Sequence, residues 1–204
     1  MVNFATHGWV NGHFCSTIFY YYPIRSFSNT NELNSKIRNK IYDFKEGRNP
    51  NEIGELVSSA LISTFGKDKL RNCTFVTVPA SSVLRTEKRC KSFSKIVSSI
   101  TGMENGYNFV KRCKDSKPKH ITGCESENYY SLFIEKNLVM NKRIILFDDI
   151  ITSGKTIDFI SKRLKWYCKS VDVVGLGKTV SRGSNEYLNQ NCLGNALVRA
   201  KYGL

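Results

Sequence analysis

No stretch of the chain approaches the ~20 uninterrupted apolar residues that a membrane-spanning helix needs. The N-terminus lacks a basic region followed by an apolar segment and a small-residue cleavage site. Both absences lead to the expectation of a soluble, cytoplasmic protein with no membrane partner. No two cysteines form a C-x-x-C pair: Cys15, Cys73, Cys90, Cys113, Cys124, Cys168 and Cys192 are seven in number and widely scattered. An odd, scattered set is that of reduced thiols, not of a disulfide framework. Zinc sites show tighter pairing than the two loose sets present, His7 with His13 and Cys15, and Cys113 with His120 and Cys124. Internal repeats and low-complexity tracts are also missing.

Acidic residues are scarce, 17 against 31 basic ones, for a net charge of +14. Such a balance favours anionic ligands and partners. Half of the excess lies in residues 85–119, where Arg85, Lys88, Arg89, Lys91, Lys95, Lys111, Arg112, Lys114, Lys117 and Lys119 face only Glu87, Glu104 and Asp115. Three fates suit this run: neutralising a diphosphate, contacting a nucleic acid backbone, or forming a solvated lysine-rich surface.

A length of 204 residues suits one domain, with residues 1–70 as an N-terminal elaboration, 71–180 as the core and 181–204 as a C-terminal tail. Residues 13–25, aromatic and β-branched, predict a strand or hairpin ending near Pro23. Asn29 to Asn31 offer helix caps, and Leu33, Ile37, Ile41 and Phe44 then recur at helical spacing up to Gly47. A second helix follows Asn49-Pro50. Residues 74–79 (TFVTVP) predict a short buried strand that ends in the small-residue loop Ala80-Ser81-Ser82, with a helix over 88–101 behind it. Residues 111–128 show no periodicity and predict a long loop, of the kind that is commonly functional. A strand over 144–149, a helix over 154–167 and a strand over 171–176 complete the order. Apolar strands alternating with helices predict an α/β fold: a parallel sheet with helices on both faces and an N-terminal β/helical elaboration.

The most informative segment is 144–156, IILFDDIITSGKT. A buried strand delivers Asp148 and Asp149 to its carboxyl end, where ligands of such sheets bind and where two carboxylates can accept hydrogen bonds from a vicinal diol. Thr152, Ser153, Gly154, Lys155 and Thr156 follow where a helix begins. Free N–H groups, hydroxyls and the positive end of the helix dipole suit that turn to an anion, so the whole segment describes a site for a sugar phosphate. It is not a nucleoside triphosphate loop. That pattern needs Gly where Asp149 stands before Gly154-Lys155-Thr156, and where Asp172 stands before Gly177-Lys178-Thr179.

This segment resembles the phosphoribosyl diphosphate (PRPP) signature of type I phosphoribosyltransferases. Further features are similar to the late-competence protein F (ComF-like) group of that superfamily: Phe44-Lys45 with Gly47, Val78-Pro79, and Arg89 and Lys91 before Phe93. The likeness spans about 41–179. The group's N-terminal four-cysteine zinc module is absent, and its Gly-Phe-Asn-Gln element is replaced by Ser92-Phe93-Ser94-Lys95. The resemblance implies a Mg²⁺-dependent transfer of ribose 5-phosphate to a nitrogenous base. It implies that Asp148 and Asp149 hold the ribose hydroxyls and, largely through the ligand, the metal. Thr152 to Thr156 would take the 5′-phosphate, Ala80, Ser81 and Ser82 the diphosphate, and Arg85, Arg89 or Lys91 the leaving group. The phosphate loop offers Thr152 and Ser153 where some relatives place an acid, so no general base is assigned. A second class of function stays open: a non-catalytic sensor of PRPP or a nucleotide whose basic run engages nucleic acid. The sequence is compatible with a monomer or an oligomer.

Overall fold

The computed structural model describes residues 3–4, 6–27, 32–113 and 131–181. Two antiparallel strands open the chain, β1 (Thr6–Val10) and β2 (His13–Tyr21). They are joined by Asn11 and Gly12, both at positive φ, the geometry that a two-residue hairpin turn requires. Helices α1 (Glu32–Lys45), α2 (Pro50–Phe65) and the single turn α3 (Lys67–Leu70) follow. Then come β3 (Cys73–Thr77), α4 (Val83–Thr101) and the short β4 (Glu104–Asn105). A small pair, β5 (Val110–Arg112) with β6 (Leu132–Ile134), and the turn α5 (Lys136–Val139) lead into β7 (Arg143–Ile151), α6 (Lys155–Lys165) and β8 (Ser170–Thr179). The expected caps at Asn29 to Asn31, residues 114–128 of the expected loop, and 182–204 of the expected tail lie outside the described residues.

Six strands form one sheet in the order β1-β2-β8-β7-β3-β4, parallel throughout except for the β1–β2 pair. The N-terminal hairpin therefore belongs to the main sheet, β2 lying directly against β8. Side chains alternate between two cores, as strands covered on both faces demand. Phe75, Ile145 and Phe147 point to the core made with α1, α2 and α4, while Val76, Ile144 and Leu146 point to the one made with α6. This α/β architecture, a mostly parallel sheet flanked by helices, is the one expected.

Local chemistry sets the helix ends. Ser82 caps α4 by accepting from the Arg85 N–H, so the helix starts at Val83, before the expected residue 88, and ends at Gly102. In α6, Ile157, Ile160, Ser161 and Leu164 fall on one buried stripe. Its last turn carries Lys162, Arg163 and Lys165, which complement the dipole. The expected structureless loop is ordered at its start, because Lys111 and Arg112 pair with Phe133 and Leu132 in β5–β6. Among the described residues no helix is long and apolar enough to cross a membrane.

Candidate functional site

Leaving β3, the chain crosses through α4 to β4 on one side; leaving β7, it crosses through α6 to β8 on the other. The two helices cover opposite faces. The boundary between β3 and β7 is thus the point where the winding reverses, and open α/β sheets bind ligands in the crevice that such a reversal leaves at the strands' carboxyl ends. The loops after β3 (residues 78–82) and after β7 (residues 152–154) flank this crevice. The Val78 N–H bonds to the Phe147 carbonyl at 2.8 Å, so the two loops leave the sheet side by side.

Asp148 and Asp149 lie on β7 at this end, both partly buried. The strand's alternation slips here: Ile145 and Phe147 face the α4 core and so does Ile150, while Ile151 faces the α6 core. Each carboxylate accepts the next residue's N–H, Asp148 from Asp149 at 2.8 Å and Asp149 from Ile150 at 2.7 Å. Loss of water and repulsion from Asp149 raise the Asp148 pKa to about 7, against the pull of the Asp149 N–H, Arg89 and Lys45. Of the cations assigned to the leaving group, Arg85, Arg89 and Lys91, it is Arg89 that pairs with the acids. Its guanidinium pairs with Asp149, both side chains little exposed, and its Nε donates to the Lys45 carbonyl at the end of α1 at 3.3 Å. That reach depends on Gly47, where an added Cβ would stand 2.4 Å from the Lys88 carbonyl oxygen; α1 and α4 meet backbone to backbone.

The other predicted cations are elsewhere. Lys91 lies about 200° around the helix from Arg89, exposed and paired with Glu87 at 2.7 Å. Arg85 is exposed and donates to the Ser81 hydroxyl at 3.4 Å. The loop after β3 is already engaged with the protein: the Ala80 N–H bonds to the Thr86 hydroxyl at 2.9 Å, and its carbonyl accepts from Arg112 Nε at 2.6 Å. Thr86 and Arg112 are loop-shaping residues that sequence reasoning missed; their contacts span 6 and 32 positions and leave no pattern. Lys45, whose charge reaches Asp148, was quoted only as part of a motif.

Thr152 and Ser153 are exposed, and Lys155 and Thr156 begin α6. Gly154 forms the N-cap at φ 73°, and an added Cβ would lie 2.7 Å from Val10 Cγ1 and 3.3 Å from Asn11 Cβ. The tip of the β1–β2 hairpin therefore packs on the turn, and His13 bonds to Asp158 one turn into α6 at 3.0 Å. Gly154→Ala combines a left-handed alanine, ~1–2 kcal/mol, with a clash against the hairpin. A loss of about 2 kcal/mol in urea unfolding is expected; an unchanged midpoint would mean that the turn does not hold this conformation.

Of the two loose metal sets, the one made of described residues does not assemble. His7 bonds to Ser16, His13 to Asp158, and the Cys15 thiol to the His13 carbonyl; Cys113 is exposed, and His120 and Cys124 lie outside the described residues. Among the described residues no three His, Cys, Asp or Glu side chains converge on a metal position. The decoy Gly177-Lys178-Thr179 lies inside β8. Burial pushes the Cys90 thiol, behind the acid pair, up to about 12, so it is no nucleophile at neutral pH. Much of the basic run is internally matched: Lys88 with Glu46 at 3.5 Å, Lys91 with Glu87, and Lys111 with Glu135 at 2.8 Å.

No described protein family matches the chain, and no curated protein does either. Among solved structures it is similar to a hypoxanthine phosphoribosyltransferase from Staphylococcus aureus, at 15% identity over 71% of this chain and 77% of that one, with a TM-score of 0.34. The fold assignment rests on the strand order and registers above, not on this likeness.

Proposed function

We propose that the crevice between β3 and β7 binds a 5-phosphorylated ribose, as PRPP or a nucleotide, and that the protein is a phosphoribosyltransferase. One observation carries this reading. An acid pair at the carboxyl end of a central parallel strand runs directly into a hydroxyl-bearing turn at a helix N-terminus, at the winding reversal of the sheet. Asp148 and Asp149 accept the two ribose hydroxyls, and Thr152 to Thr156 receive the 5′-phosphate. Arg89 pairs with the second carboxylate and holds its orientation. Ser81, Ser82 and Arg85 face the diphosphate as it leaves C1 and a base nitrogen attacks; holding these groups in line and balancing their charge is the catalysis.

The donor set fits Mg²⁺. Burial and repulsion from Asp149 hold Asp148 well above the ordinary carboxylate range, so a divalent cation beside the pair would be balanced, and ligand oxygens would complete its shell. Asp148 and Asp149 would hold the ion, which when bound neutralises diphosphate charge.

A second reading, binding without transfer, is favoured by the loop after β3. Its Ala80 amide is committed to Thr86, which leaves fewer donors for a diphosphate than for a monophosphate at the turn. Titration calorimetry with PRPP, with and without Mg²⁺, tests the shared site. Wild-type binding that falls at least tenfold in Asp148→Asn/Asp149→Asn, with the unfolding midpoint little changed, is the expected result. Equal affinity in the variant, or no binding by the wild type, overturns it. Diphosphate release on adding purine or pyrimidine bases then separates transferase from sensor.

A further inference from the structure

At the amino ends of the same strands, the far side of the sheet from the acid pair, lies an open cleft of about 440 Å³. Its charged residues are Arg71 after α3, Lys142 and Arg143 at the start of β7, Lys169 just before β8, and Glu104 on β4. Four cations from three separate segments converge against one carboxylate. That carboxylate is consumed: Glu104 pairs with Lys142 and accepts the Thr74 hydroxyl at 2.6 Å. Arg71 has a loose partner in the exposed Asp68 at 3.6 Å. Arg143 and Lys169 have no carboxylate within ion-pair distance among the described residues. Like charges held together unpaired destabilise the fold they sit on, so their convergence in a concave, polar site points to a ligand that balances them.

We propose that this cleft is a second binding site, for a small molecule carrying two or more phosphates. The volume falls within the ~300–1,000 Å³ of small-molecule sites. Four cations less Glu104 and Asp68 leave an excess of two, spread over separate segments around the cleft, which suits a chain of phosphates better than a single phosphate. The remaining wall is built from amide, hydroxyl and thiol side chains, with no aromatic or aliphatic side chain to stack a base. The phosphates are therefore the recognised part, and adenosine, cytidine and inorganic triphosphates bind alike.

Calorimetry on the full chain tests this, with inorganic tripolyphosphate as a probe that has no ribose, and with ATP and CTP titrated into Asp148→Asn/Asp149→Asn, where the ribose-phosphate crevice is disabled. Three similar affinities are expected. They weaken at least tenfold when Arg143→Gln/Lys169→Gln is introduced and stay within twofold with Lys36→Gln/Lys95→Gln, which removes equal charge elsewhere; tripolyphosphate affinity also stays within twofold between the wild type and Asp148→Asn/Asp149→Asn. Arg143 and Lys169 are exposed, so the variant should keep the wild-type unfolding midpoint. Charge-reversing Arg143→Glu/Lys169→Glu, expected to abolish binding, provides a second measure. Tripolyphosphate binding that ignores the cleft variants or is lost with the aspartates, nucleotide binding to the aspartate variant that demands a particular base, or binding that appears only with an oligonucleotide overturns the assignment. Because the aspartate variant is scored separately, failure here leaves the ribose-phosphate reading untouched, and the reverse.

Discussion

Replacing Arg89 by methionine is expected to destabilise the protein by about 3 kcal/mol at pH 8, the scale for stranding one member of a buried ion pair, and by clearly less at pH 5. Arg89 and Asp149 are both largely withdrawn from water, and Asp148 stands next in sequence. Without the guanidinium, two carboxylates share a site, and Asp148 loses one of the two cations, Arg89 and Lys45, that offset its burial. The direction with pH follows from Asp148. Its native pKa is raised to about 7, so the stability it contributes is present below the ordinary carboxyl range and is lost as pH rises through 7. Removing a cation moves that native value higher still and deepens the loss above it. Urea unfolding of both proteins at the two pH values measures the difference. Equal losses would show that Arg89 acts by packing its stem, not by charge.

Phe147→Ala is expected to cost about 3–5 kcal/mol. Phe147 is buried with its ring 4.9 Å from Phe93, 5.7 Å from Phe75 and 5.9 Å from Phe44. The alanine leaves a void that three other rings line and that helices α1 and α4 cannot both collapse into. It lies directly beneath Asp148, so PRPP affinity should fall along with stability. Phe147→Leu, keeping most of the volume, should cost under about 1.5 kcal/mol and restore binding. Guanidinium unfolding with an unchanged slope would confirm that the loss is in the native state; a loss near zero would mean that the aromatic cluster is not packed as described.

Sequence reasoning reached what periodicity and caps encode. The order of strands and helices, the two-faced sheet and the acid pair at a carboxyl end were legible because each is written within a dozen neighbouring residues. The Asn11-Gly12 turn was equally local and was overlooked, although an Asn-Gly pair flanked by Trp9-Val10 and His13-Phe14 is a strong hairpin signal. What could not be read is pairing at a distance. Nothing in the sequence links Arg89 to Asp149 in preference to Lys91, because facing is decided by the rotation of α4 against β7. Four of the described cations in the basic run, Lys88, Arg89, Lys91 and Lys111, go to four different carboxylates, whereas the polyphosphate cleft takes its charges from positions 71, 142, 143 and 169, no more than two of them adjacent. A patch in sequence is not a patch in space.

The hairpin tip against Gly154 carries a consequence for the order of assembly. β2 is made early, yet its lateral partner is β8, the last strand of the sheet to leave the ribosome. Until that pairing forms, β1 and β2 have no seat on the sheet, and Val10 has no reason to lie against Gly154. Closure over so long a span of chain is slow and leaves a two-stranded ribbon waiting with an open edge. The turn after β7 is thus finished only when β2 and β8 have met. A nascent chain truncated before residue 170 would carry the acid pair and the whole signature, and still lack a finished site.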